Sequence, residues 1–185
     1  MAQTTSNVTA AKPETGGALY SAATSVTPPT STTASLSSFT GLGYISEDGL
    51  TNEITRDSEE IKAWGGDTVL QPQTGFTDTF KCTLIEALNK DVLKEVFGSS
   101  NVSGTLAGGI TVNVNSAELE ERVWVCDMIM RGGVAKRLVI PSGKITEIGE
   151  ITYKDDEASG YEITITAFPD SSGNTHYEYI KEPAS

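Results

Sequence analysis

A chain of 185 residues fits one domain with room for extended arms. With 13 Lys+Arg against 25 Asp+Glu the formal charge is −12, which argues against a duplex-DNA binder, since such proteins need cations to neutralise phosphates. Two cysteines, Cys82 and Cys126, are too few for a disulfide framework, and each falls inside an alternating apolar run, as a reduced core residue does.

The N-terminus, MAQTTSNV, has neither a basic region nor an apolar region of a signal peptide, and no apolar run approaches the length of a membrane span. A soluble product made in a cytoplasm is expected, and the sequons at Asn7 and Asn101 carry no weight there.

Residues 1–40 are rich in Thr, Ser, Ala and Pro, with Lys12 and Glu14 as their only charges. Such a composition does not order itself alone. Residues 1–16 read as a flexible arm, 17–24 (GALYSAAT) as a strand, and the stretch around Pro28 and Pro29 as a linker. FTGLGYISEDGL, 39–50, reads as a strand ending in a turn at Glu47-Asp48-Gly49. The polar, acidic stretch that follows reads as a long loop over about 47–68, with Trp64 as an aromatic anchor before Gly65-Gly66. Trp64 has two readings there: burial against another subunit, or packing within its own loop.

GFTDTFKCTLIE, 75–86, alternates with period two and predicts a strand. Phe76, Asp78, Phe80, Cys82 and Leu84 share one face, so Asp78 marks the end where that face leaves the core. The period then changes. Val92, Leu93, Val96 and Phe97 lie on one side of a short helix over 89–97, capped by Asn89 and closed by Gly98. Further strands are expected at 109–115, 122–130, 134–141, 144–154, 161–168 and 175–182, with a hairpin link at Gly132-Gly133. Trp124, on the face of Arg122, Cys126 and Met128, reads as core, while Tyr177 and Tyr179 read either as core edge or as arm contacts. Neighbouring strands in sequence pair antiparallel. The expected fold is therefore mainly β: a sandwich or barrel over 17–182 with one short flanking helix, an N-terminal arm, the long inter-strand loop and a C-terminal tail at 183–185.

Signatures of chemistry are missing. His176 is the only histidine and reads as a satisfied surface or edge residue; with two separated cysteines it makes no zinc spacing. No G-x-S-x-G elbow, dinucleotide fingerprint or phosphate loop occurs. Asp155-Asp156-Glu157 lacks calcium-loop spacing. No catalytic residue, metal or cofactor is expected, and no enzyme.

One resemblance is specific. GYISEDGL, RDSEEIKAWGGDTV and QTGFTDTFKCTLIEALNKDVLKEVFG, in that order over 40–98, resemble the major tail tube proteins of long-tailed bacteriophages of the non-contractile type. The upstream stretch from Gly16 is similar to that family's N-terminal region, while beyond residue 98 the likeness is one of architecture only. The resemblance implies a structural virion protein whose partner is itself: six subunits form a ring with a continuous β-barrel lumen, and rings stack into a tube that conducts DNA without binding it specifically. It also implies a tape-measure protein, a tail tip or baseplate and a tail terminator as partners, assembly in the bacterial cytoplasm, and no membrane. The long loop of this family crosses the ring interface. On that ground Glu47, Asp48, Arg56, Asp57, Glu59, Glu60, Lys62 and Trp64 are the candidate subunit contacts. Deleting 1–15 or 51–66 is expected to spare the fold and weaken polymerisation, and an acidic lumen would repel phosphates. The competing readings are a tail completion or connector protein, and a receptor- or carbohydrate-binding β-sandwich. The second predicts clustered aromatics, which at 7% of the chain are scattered instead.

Overall fold

The computed structural model describes residues 3–14 and 18–183. The expected arm (1–16) and tail (183–185) therefore lie partly outside the described residues.

The fold grows from two strands. β10 (Arg122–Met130) is apolar on both faces, and its residues Val123 to Asp127 are buried. Trp124 and Cys126 point into the main core, as the sequence reading held for Trp124. β11 (Ala135–Ile148) returns antiparallel across the Gly132-Gly133 link, where both glycines take positive φ. The sequence suggests a break at Pro141-Ser142-Gly143, yet β11 runs on through it. Its first half pairs with β10 and β13 (Tyr177–Lys181), its second half with β12 (Tyr161–Ala167). Gly143 stands where the partners change. A Cβ there would come within 3.0 Å of Ile140, Ile165 and Trp124 side-chain atoms. Its carbonyl accepts the Trp124 indole N–H at 2.9 Å, so the corner is both tight and satisfied. Beyond Ile148 the predicted strand does not continue.

β12 pairs with β7 (Gln73–Leu84), and β7 with β4 (Thr51–Ser58). On the other side β10 pairs with β2 (Leu19–Ala23), and β2 with β3 (Thr40–Gly41). Ile45 then bridges to Leu84, with Ser46 N–H donating to the Thr83 carbonyl. Residues 40–46 thus stitch the β2 edge to the end of β7 and close the sheet around one core, an antiparallel sandwich. Gly43, at φ 72°, makes the step between the two edges possible, and a Cβ there would overlap the Glu86 carboxylate.

α1 (Lys90–Phe97) lies against that core through Val92, Leu93 and Val96. Burying each such side chain is worth about 1.5–3 kcal/mol. Asn89 caps the helix by accepting the Asp91 N–H at 3.0 Å, and Gly98 at φ 93° ends it, as the sequence predicts. The Gly/Ser-rich stretch after the helix holds a strand that the sequence reading passed over, β8 (Val102–Thr105), paired with β9 (Gly109–Val112).

The second face of β10 is covered as well. Asp127 and Arg137 sit directly opposite each other and form a buried bidentate pair, with both N–O distances 2.6 Å. The guanidinium Nη1 donates to the carbonyls of Ser31 and Ala34 at 3.0 and 2.7 Å. The Pro-containing linker is therefore a strap clamped to the sheet, and its own Pro29 is buried.

Candidate assembly surfaces

The stretch expected as a long loop is a β-hairpin arm. β4 pairs with β7 from Thr51–Lys81 out to Ser58–Gln73. Farther out, β5 (Ile61–Lys62) pairs with β6 (Thr68–Leu70), and a turn at Gly65-Gly66, with φ 122° and 102°, closes the tip. Every residue from 51 to 74 is exposed. Neither face of this ribbon is buried within the chain, so no period of two is written into its sequence; only its backbone groups find partners.

An exposed ribbon that stays folded beyond the core usually carries polar side chains. This one also carries Ile54, Ile61, Val69, Leu70 and Phe76, all substantially exposed, and Trp64 at the tip is fully so. Packing of Trp64 within its own loop, one of its two sequence readings, is therefore overturned. Arg56 lies over Phe76 at 4.7 Å from the ring centroid and donates to the Gln73 side chain. Asp57 stands opposite Gly75, and Glu60 faces both Lys62, at 3.6 Å, and the Thr68 hydroxyl. Glu59 closes the inner pair through its N–H to the Pro72 carbonyl. Of the candidate contact residues, the structure gathers Arg56, Asp57, Glu59, Glu60, Lys62 and Trp64 on the arm. Glu47 and Asp48 are elsewhere, in the turn Ser46–Gly49, where they border a cavity of about 250 Å³ shared with Ala11, Pro13 and Met128.

A second surface is a sheet edge. β1 (Ala11–Pro13) pairs with the far end of β10, and β13 with the matching part of β11. The order β1-β10-β11-β13 thus ends in a strand on each side whose outer edge has no strand partner among the described residues. This part of the molecule sets Lys12, Arg131, Lys136, Arg137 and Lys181 against Glu14, Asp127, Glu178 and Glu182, whereas the arm residues 51–72 hold five acids against two bases. Lys136 pairs with Glu178 at 2.7 Å. Tyr177 and Tyr179 stack on β13, and the Tyr177 hydroxyl donates to Asp170 at 2.6 Å, so Tyr177 belongs to the sandwich edge.

Chemistry is sparse. Burial pushes the Cys82 and Cys126 thiols up to about 12, which keeps them protonated. Asp78 is the last buried residue on its face of β7, and Phe76 beyond it is exposed, so the face does leave the core there. His176 Nδ1 lies 2.6 Å from Asp78, and the neighbouring hydroxyl, Thr175, binds that carboxylate rather than the imidazole, unlike a catalytic triad. Among the described residues no group of His, Cys, Asp and Glu could hold a metal, and no helix is long and apolar enough to cross a membrane.

A family described as phage tail tube protein matches residues 1–184, essentially the whole chain. The chain belongs to the phage tail tube protein family. A comparison with curated proteins found no match. This tail tube protein is a structural component of the virion tail, from a family of structural proteins and not of enzymes. The family match extends through the C-terminal half, where the sequence resemblance had been architectural only.

Proposed function

We propose that this tail tube protein assembles into hexameric rings that stack into the tube through which phage DNA leaves the capsid. The observation that carries the reading is the arm: a ribbon exposed on both faces, with five apolar side chains along it and a free tryptophan at its tip. Monomeric proteins rarely display such a patch without a partner, and aromatic anchors concentrate binding energy at interface centres.

The open edges of β1 and β13 supply the complementary device. Joined edge to edge around a ring, they would make one continuous sheet and remove two exposed edges per subunit. Two of the five cations on that sheet are matched within it, Arg137 to Asp127 and Lys136 to Glu178. A wall built from it would be closer to neutral than to the acidic lumen expected from the sequence. Assembly on a tape-measure protein in the host cytoplasm, with a tip or baseplate at one end and a terminator at the other, completes the proposal. Negative-stain electron microscopy of the purified protein over a range of concentrations tests it. Hollow tubes or stacked sixfold rings are expected; monomers that stay monomeric even with a tape-measure protein present would contradict it.

A further inference from the structure

The arm and the β13 edge, the two surfaces invoked above, meet at one buried carboxylate. Asp78 lies on β7 where the arm leaves the sandwich, with its side chain wholly withdrawn from solvent. Its Oδ1 accepts the Asn52 amide of β4 at 2.7 Å, and the same amide also reaches the Thr79 carbonyl at 3.0 Å. Its Oδ2 accepts the Thr175 hydroxyl and faces His176 Nδ1, both at 2.6 Å. Thr175 and His176 are the two residues that lead directly into β13. The imidazole is held from its other side by an edge-on contact with Phe80, with centroids 5.2 Å apart.

A buried carboxylate is costly unless each oxygen is bonded. Here its partners come from two elements far apart in sequence: the outgoing strand of the arm and the lead-in to the C-terminal strand. Neither can shift without leaving the carboxylate short of a donor. We infer that Asp78 is a positioning residue that locks the root of the arm to the start of β13, so that the two assembly surfaces of a subunit are set relative to each other before assembly. The inference rests on the assembly reading for its purpose, but the coupling itself is a property of the free subunit.

Amide hydrogen exchange on the full-length free protein reads the coupling. Thr175→Val lies outside the arm, yet it is expected to speed exchange at 51–55 and at 177–181 together, by about tenfold or more, the factor carried by one lost hydrogen bond to a charged group. Thr175→Ser keeps the hydroxyl and should restore both segments. Asn52→Ala reports from the opposite side, and should loosen 177–181 although it touches only the arm. Changes confined to the mutated segment in both Thr175→Val and Asn52→Ala would overturn the inference. In tube formation, Thr175→Val should raise the critical concentration, and Thr175→Ser should return it to that of the wild type. A wild-type protein that never forms tubes would refute the assembly reading while the exchange result still decides the coupling.

Discussion

Trp64 protrudes from the tip of the arm, so its removal takes no packing from the subunit that bears it. Trp64→Ala is expected to leave thermal stability within about 0.5 kcal/mol of the wild type, as exposed substitutions do, and to abolish or strongly slow tube formation. A melt and a sedimentation assay on the same sample check both halves. The buried pair behaves in the opposite way. Asp127→Ala strands Arg137 beneath the strap and should cost about 3–5 kcal/mol in a denaturant melt, since Asp127 is the carboxylate bonded to that guanidinium. Glu95 gives the pH dependence its sign. Burial raises its carboxyl above the ordinary 4.5, with the Arg122 and Ser21 bonds offsetting only part of that. The folded state thus holds this proton more tightly than the unfolded chain. The contribution of Glu95 is complete below the ordinary value and is lost as pH rises through the raised one. Glu95→Gln should remove that slope as pH rises above about 4.5 in denaturant melts, and an unaltered slope would contradict the assignment.

At the scale of elements, what could be read from the sequence tracks what each element buries. α1 and its caps were legible because Val92, Leu93 and Val96 repeat on one side and Asn89 and Gly98 punctuate the ends. β10 was legible from its apolar run and β12 from its alternation. The arm was not, because a ribbon with both faces in solvent leaves no pattern, and its Thr-rich, acidic sequence resembles a loop. β11 was read as two strands because Pro141-Ser142-Gly143 looks like punctuation, whereas those residues form a corner within one strand. The contact residues show the same limit. Those from Arg56 to Trp64 fall on one arm, but nothing in the sequence separates Glu47 and Asp48 from it. Asp78 stood out as an acid on an apolar face, but its partners at Thr175 and His176 lie about a hundred positions away and no local pattern announces them. Asn89→Ala should cost about 1 kcal/mol through the lost cap, measurable by thermal melt.

For the whole molecule, a formal charge of −12 on each copy sets a barrier to bringing copies together. Raising salt from about 10 mM to about 150 mM shortens the screening length from about 30 Å to about 8 Å. Tube growth followed by light scattering is expected to accelerate over that range; slower growth would mean that attractive ion pairs between subunits dominate instead. The arm is exposed along its whole length in the free subunit, and the proposed assembly is what would cover it. The most direct measurement is therefore electron microscopy of the intact chain beside a variant in which residues 59–71 are replaced by a short turn. The account predicts hollow tubes from the first, and from the second a folded subunit with an unchanged melt and no tubes. Tubes of normal length and diameter from the shortened arm would contradict it.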